Sequence, residues 1–215
     1  VTVIGGGYVG SVTAACLAEL GHQVLCIDID PARVARLSAG ESPIHEPGLD
    51  VLIKRGTTSG RLVFRADYPA VIGSSIVFLA VNTPGSQGGA ADLRAVRDAI
   101  TSVAKRVADD TIVVNKSTVP IGTGDLVEGM AERAGRRVAV VSNPEFLREG
   151  SAVADFMKPD RIVLGSNAAW AVEAVAELYR PLDAEVVRVD IRTAEMIKYA
   201  SNAFLATKIS FINEI

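Results

Sequence analysis

A β-branched run, Val1-Thr2-Val3-Ile4, enters a glycine turn, Gly5-Gly6-Gly7-Tyr8-Val9-Gly10, and an Ala-rich helical segment follows. A second apolar run then ends at Cys26-Ile27-Asp28. Strand, tight turn, helix and second strand in this order make a βαβ unit whose first turn can take a phosphate. Gly5 permits the turn out of the strand. Gly7 leaves space for a pyrophosphate against the backbone, and Gly10 lets the helix pack close to the sheet. The helix start, Tyr8 and Val9 with Gly10, offers free N–H groups and a partial positive charge to that phosphate. Asp28 would stand at the tip of the second strand, accept hydrogen bonds from ribose hydroxyls and repel a 2′-phosphate. The expected ligand is therefore NAD rather than NADP. Glycine turns are common, so the reading rests on strand, helix and acid falling in register.

Strand-like runs and helical patterns alternate through the rest of the chain. This predicts an α/β, Rossmann-type, doubly wound and mainly parallel sheet over residues 1–190, followed from 191 by the start of a long connecting helix. Asp30 caps and Pro31 opens a helix after the second strand, and 40–48 is a loop. The run 75–81 is continuously apolar, as in a central strand buried on both faces, and 85–89 is a Gly-rich loop. Asp92 is expected to cap the helix carrying Leu93, Val96, Ile100 and Val103 at helical spacing. Further strands are expected at 111–115, 138–141, 161–164 and 185–189, with a helix at 168–179. From Thr193 the chain reads as one helix. Val1 lies inside a strand and Ile215 closes a helical pattern without a stop, so a piece of a longer enzyme is expected.

Of the 215 residues 49% are hydrophobic and 22% charged, the net charge is −3, and no Lys/Arg run exceeds two. A nucleic-acid partner does not fit this balance, and no apolar run approaches a membrane span. Cys16 and Cys26 read as small buried hydrophobes of a cytoplasmic protein. His22 and His45 are isolated, so no metal is expected. Trp170, Tyr179 and Phe211 read as packing residues.

In open parallel sheets ligands sit at the carboxyl ends of strands, where Thr83, Thr118 and Glu145 fall. Glu145 and Glu149 are four residues apart and would share a face if that segment were helical, either as chemistry or as a solvated acidic surface. Thr118 either caps the following turn or orients a water. Lys198 and Asn202 stand one turn apart on the last helix. Taken alone, Lys198 reads as an ordinary surface lysine. Asn202 is followed by Ala203-Phe204-Leu205-Ala206, which favours a buried amide in need of partners, and the pair could face a developing oxyanion.

Taken together the motifs resemble the UDP-glucose/GDP-mannose dehydrogenase family. They are Gly5 to Gly10, Glu46-Pro47-Gly48-Leu49, Asn82-Thr83-Pro84, Lys116-Ser117-Thr118-Val119-Pro120-Ile121-Gly122, Asn143-Pro144-Glu145-Phe146-Leu147-Arg148-Glu149-Gly150, and Lys198 with Asn202. Pro159-Asp160-Arg161-Ile162-Val163 is more similar to the UDP-glucose members.

The resemblance implies oxidation of a nucleotide-sugar C6 alcohol, here UDP-glucose, to the carboxylate with two NAD. It implies that Glu145 and Thr118 activate a water and that Lys198 and Asn202 steady an oxyanion. Glu149, Thr83 and Thr118 would contact NAD, with Arg33 near its adenosine end, and Glu145 with Phe146, Leu147 and Arg148 would line the sugar pocket. The family's Gly-Gly-x-Cys segment, whose thiol attacks the aldehyde, has no counterpart here, so an incomplete site is expected. A homodimer is implied for the whole enzyme, joined through the long helix. The alternatives are a GDP-mannose, UDP-N-acetylmannosamine or β-hydroxyacid dehydrogenase, or a non-catalytic NAD-binding module.

Overall fold

Apolar runs without alternation become the inner strands. In the computed structural model, which describes residues 1–86 and 88–215, β4 (Ile76–Leu79), β5 (Thr111–Asn115) and β6 (Val138–Ser142) are buried at every position. A strand covered by helices on both faces has no solvent side on which polar residues would alternate. At the sheet edge, β3 (Leu62–Arg65) does alternate buried and exposed. With β1 (Thr2–Ile4), β2 (Val24–Ile27), β7 (Ile162–Gly165) and β8 (Val186–Val189) they form one eight-stranded sheet, ordered β3-β2-β1-β4-β5-β6-β7-β8. Neighbours run parallel except β6 and β7, which meet antiparallel at Ser142 and Gly165. The expected doubly wound sheet is what forms. Gln87 of the expected Gly-rich loop lies outside the described residues.

Because successive strand residues point to opposite faces, the sheet carries two cores. On one face α1 (Tyr8–Glu19), α2 (Pro31–Ser38), α3 (Leu49–Thr58), α6 (Ala152–Met157) and α7 (Ala169–Tyr179) pack over Val3, Phe78 and Val114. On the other, α4 (Arg94–Ala104) and α5 (Thr123–Arg133) cover Ile4, Leu79 and Val113. The winding reverses between β1 and β4, which opens a crevice beyond their carboxyl ends.

α8 (Ile191–Glu214) begins two residues before the expected Thr193, because Asp190 caps it by accepting from the Thr193 amide at 2.9 Å. Only its first turns dock: Ile191, Ala194, Glu195 and Lys198 are buried, and residues 202–215 are exposed. Three local expectations are corrected. Trp170 and Phe211 are not packed but 51% and 62% exposed, Trp170 on the outer side of α7 and Phe211 beyond the docked turns of α8. Tyr179 is packed as expected. Asp92 lies one position ahead of the α4 cap, held by Leu93, and accepts from the Arg94 amide.

Candidate functional site

The glycine turn shows why each glycine stands where it does. Gly5 adopts φ +100°, and a Cβ there would lie 2.5 Å from the Ala80 carbonyl oxygen. A Cβ at Gly10 would lie 1.7 Å from the Gly5 oxygen, so α1 can start this close to β1 only without a side chain. At Gly7 the nearest atom to an added Cβ, Asn82 Oδ1, is 3.8 Å away. Open space, not internal packing, is what glycine preserves there. Gly7 is the cap of α1 and no side chain caps the helix, so the amides of Tyr8, Val9 and Gly10 are left for an anion.

Asp28 is buried beneath this turn, accepting from the Gly6 amide at 2.6 Å and from Arg33 Nη1 at 2.9 Å through the same oxygen. Its other oxygen takes the Asp30 amide at 2.9 Å. A cavity of about 490 Å³ runs along Gly5, Gly7, Asp28, Arg33, Tyr68 and Asn82. Room at Gly7, free amides at a helix start and an acid at the far end fit a dinucleotide.

Backbone hydrogen bonds stitch together the loops after β4 and β5. The Lys116 and Ser117 amides both donate to Leu79 O, Ser117 Oγ donates to Val81 O at 2.7 Å, and Thr83 Oγ1 donates to Thr118 O at 2.6 Å. Thr83 and Thr118, both half-buried, are thereby brought together.

After β6 the chain is not helical at 143–148, which corrects the expectation that Glu145 and Glu149 share a helix face. Glu145 turns back instead. One oxygen accepts from the Leu147 amide at 2.7 Å and the other pairs with Lys198 Nζ at 2.9 Å. Glu149 is exposed in the next turn. Lys198, 6% exposed, is no surface lysine; its ammonium also lies 5.3 Å from the centre of the Phe146 ring. Asn202, one turn further along α8, is exposed, so the expectation of a buried amide is corrected: the apolar residues after it face outward as well.

Glu145, Phe146, Leu147 and Arg148 line a second cavity of about 440 Å³, together with Lys116 and Arg161. The Arg148 side chain is committed to Asp155, with Nη2 to Oδ1 at 2.6 Å, and its carbonyl accepts from the Tyr8 hydroxyl at 2.9 Å.

Two further residues, Glu46 and Lys116, build the site without any local charge pattern that marks them. Glu46, buried, accepts from the Gly150 and Ala152 amides at 2.9 and 2.8 Å and from Tyr8 Oη at 3.2 Å. It fastens the 146–152 segment to the start of α1. Burial first, and the Glu46 carboxylate next, push the Tyr8 phenol upward. Lys116 is buried directly after β5, donating to Asn143 Oδ1 at 3.1 Å, an oxygen that also accepts from Tyr179 Oη at 2.6 Å. The signal for Lys116 was its position at the end of an unbroken buried run.

Desolvation pushes the Lys116 ammonium from an ordinary 10.5 down to about 8. Below that value both folded and unfolded chains hold the proton, and folding must bury a charge. Between 8 and 10.5 the unfolded chain still holds it and the folded chain does not, so this group adds stability as pH rises. The unfolding free energies of Lys116→Met and wild type, measured in urea, should therefore shift relative to each other in favour of wild type over that range. A pH-independent difference would show that the amine titrates normally.

The thiols are placed for packing. Cys16 in α1 and Cys26 in β2 are fully buried, and burial pushes Cys16 up to about 12 and Cys26 up as well.

This arrangement has relatives. Residues 1–183 match the UDP-glucose/GDP-mannose dehydrogenase family, NAD binding domain, and residues 192–215 match the central domain of the same family. A UDP-glucose 6-dehydrogenase of Bacillus subtilis is 51% identical over 219 residues, covering 100% of this chain and 50% of the relative. The chain spans about half the length of the curated relatives it matches. The structure of a UDP-glucose dehydrogenase from Pyrobaculum islandicum superimposes with a TM-score of 0.95 at 45% identity, over 99% of this chain and 51% of that one. A ternary complex of GDP-mannose dehydrogenase from Pseudomonas aeruginosa gives 0.96 at 36% identity, over 100% and 51%. A helix start free for phosphate, an acid at the tip of β2 and matches over nearly the whole length agree: the chain belongs to the UDP-glucose/GDP-mannose dehydrogenase family, and its NAD-binding domain takes NAD.

Proposed function

We propose that the protein of which these residues form the cofactor half oxidises the C6 alcohol of UDP-glucose to UDP-glucuronate in two NAD-dependent steps. The observation that carries this is the Glu145–Lys198 pair, which joins the segment after β6 to α8, with Glu145 lining a cavity of about 440 Å³. Identity of 51% to a UDP-glucose 6-dehydrogenase supports the choice of sugar. We assign residues 1–190 to the NAD-binding domain and 191–215 to the beginning of the connecting helix.

When bound, the dinucleotide accepts the hydride from C6. The chain's own groups supply part of what remains. Gly5, Gly7 and the Tyr8, Val9 and Gly10 amides hold the pyrophosphate, Asp28 and Arg33 flank the adenosine ribose, and Thr83, Thr118 and Glu149 line the nicotinamide end. Glu145 with Thr118 holds a water and takes its proton in the hydrolytic step. Lys198, joined by Asn202 from the next turn, sets positive charge and an amide donor where an oxyanion develops. Phe146, Leu147 and Arg148 shape the sugar pocket.

Buried Cys16 and Cys26 are not nucleophiles, so these 215 residues alone bind NAD but form no UDP-glucuronate. The exposed apolar residues of α8, Phe204 and Phe211 among them, support a homodimer of the whole enzyme. The test is an assay of the complete reading frame against UDP-glucose, GDP-mannose and UDP-N-acetylmannosamine. UDP-glucose turning over fastest, with two NADH formed per sugar, supports the reading. GDP-mannose preferred by an order of magnitude transfers it to the second family substrate.

Asp28 supports a cofactor prediction. Calorimetry on the chain should show NAD binding more tightly than NADP. Asp28→Ala should narrow the gap about tenfold or more, because it removes the acid and frees Arg33 for a 2′-phosphate. Equal affinities in the wild type would remove Asp28 as the discriminator.

A further inference from the structure

Glu195 is the most deeply buried acid in the chain, 2% exposed, yet no basic side chain pairs with it among the described residues. It sits on α8 one turn before Lys198 and points across to another element. One carboxylate oxygen accepts from the Gly122 amide at 2.6 Å and the other from the Gly124 amide at 2.7 Å. Gly122 is the cap residue of α5, with φ +90° and no side chain of its own to offer, so the carboxylate that completes α5 comes from α8. A negative charge at a helix start is favourable and both hydrogen bonds are charge-assisted. Asp125 and Arg192 are the charged groups nearby, and they pair with each other at 2.7 Å.

The surrounding packing is shaped for the same contact. A Cβ on Gly124 would come within 2.2 Å of Ile191 Cδ1 and 3.4 Å of Glu195 Oε1. A Cβ on Gly165 would come within 2.5 Å of Ala194 Cβ. Two glycines therefore let the first turns of α8 lie directly on β7 and α5, and beyond residue 201 the helix is exposed. Apolar contact through Ile191 and Ala194 can slide or rotate. Two hydrogen bonds to fixed backbone amides cannot, and Lys198 follows Glu195 by three residues on the same helix face.

We propose that Glu195 is a positioning residue: by clasping the start of α5 it fixes the rotation and register of α8 and so holds Lys198 on Glu145. The same clasp ties α8 to the segment that follows Thr118, so groups from β5, β6 and α8 are assembled by one carboxylate. The inference rests on the function proposed above for what the placement serves, but the placement is testable without turnover.

The test is reductive methylation of the chain's lysines, followed residue by residue by mass spectrometry, in wild type, Glu195→Gln, Glu195→Ala and Gly124→Ala. Lys208, exposed on the same helix, reports reagent delivery, and Lys116, buried in the sheet domain, reports opening of the whole fold. In Glu195→Ala the Lys198 rate relative to Lys208 should rise about tenfold with Lys116 unchanged, the scale expected for losing charge-assisted hydrogen bonds that hold a local unit closed. Glu195→Gln, which keeps one acceptor, should rise less, and Gly124→Ala should reproduce the rise from the opposite side of the contact. If Glu195→Ala does not fold, the other two variants decide. An unchanged Lys198 rate, or Lys198 and Lys116 rising in parallel, overturns the proposal. If the complete wild-type protein oxidises no nucleotide sugar, the proposed function falls, while the positioning role, read from the Lys198 methylation rate alone, still stands.

Discussion

Replacing Gly10 with alanine lowers the melting temperature of the chain by roughly 6–12 °C, the shift expected for a loss of about 3 kcal/mol at this size. Helix propensity argues the other way, since alanine in a helix is favoured over glycine by about 1 kcal/mol. The clash wins because the new Cβ would sit 1.7 Å from the Gly5 carbonyl oxygen, a backbone atom that cannot rotate aside. α1 would have to lift from the turn, and the crevice between β1 and β4 would deform with it. Gly129→Ala in α5 is the control. The nearest atom to a Cβ there, beyond the helix's own backbone, is the mobile end of Arg133 at 3.5 Å, so the same change should raise stability by about 0.5–1 kcal/mol. A Gly10→Ala melting point within about 2 °C of wild type would show that the turn accommodates a side chain.

Lys198→Met is expected to cost about 2–4 kcal/mol, because it leaves the Glu145 carboxylate facing an apolar group in a nearly closed site. The side chains of the pair are 8% and 12% exposed, so solvent screens little of the loss. Adding Glu145→Gln should recover most of it. A double-mutant cycle by urea denaturation reads the coupling directly. A solvated surface lysine would cost almost nothing in either background, and an additive double mutant would mean the pair is not coupled. Because the effect is read as stability, it stands whether or not the pair turns over substrate.

Much of the architecture was legible in the residues. Periodicity separated inner strands from helices because a strand covered on both faces is apolar throughout, as at 76–79 and 111–115. Boundaries set by a local cap were also within reach: Asp30 with Pro31 opens α2 as expected. Expectations failed where a neighbour distant in sequence decides. Residues 145–149 carry an i, i+4 acid pair that looks helical, but Glu145 pairs with Lys198 from α8 and residues 143–148 form no helix. Asn202 was expected to be buried because its neighbours are apolar, yet those neighbours lie past the docked turns of α8. Glu46 and Glu195 gave no signal of their own, since each is held mainly by backbone amides distant in sequence, which any residue type can offer.

The sequence by itself determined the glycine turn, the acid at the tip of β2, the sheet type and the family, because these depend on spacing within a few dozen residues. Only the tertiary structure decided which charged groups meet. Glu145 with Lys198, Glu46 with the start of α1 and Glu195 with the start of α5 join positions 38 to 106 residues apart or more than one element removed. A buried charge is stable only with a partner, and its partner is set by how helices dock on the sheet. That docking is a property of the packed whole, and no local pattern encodes it.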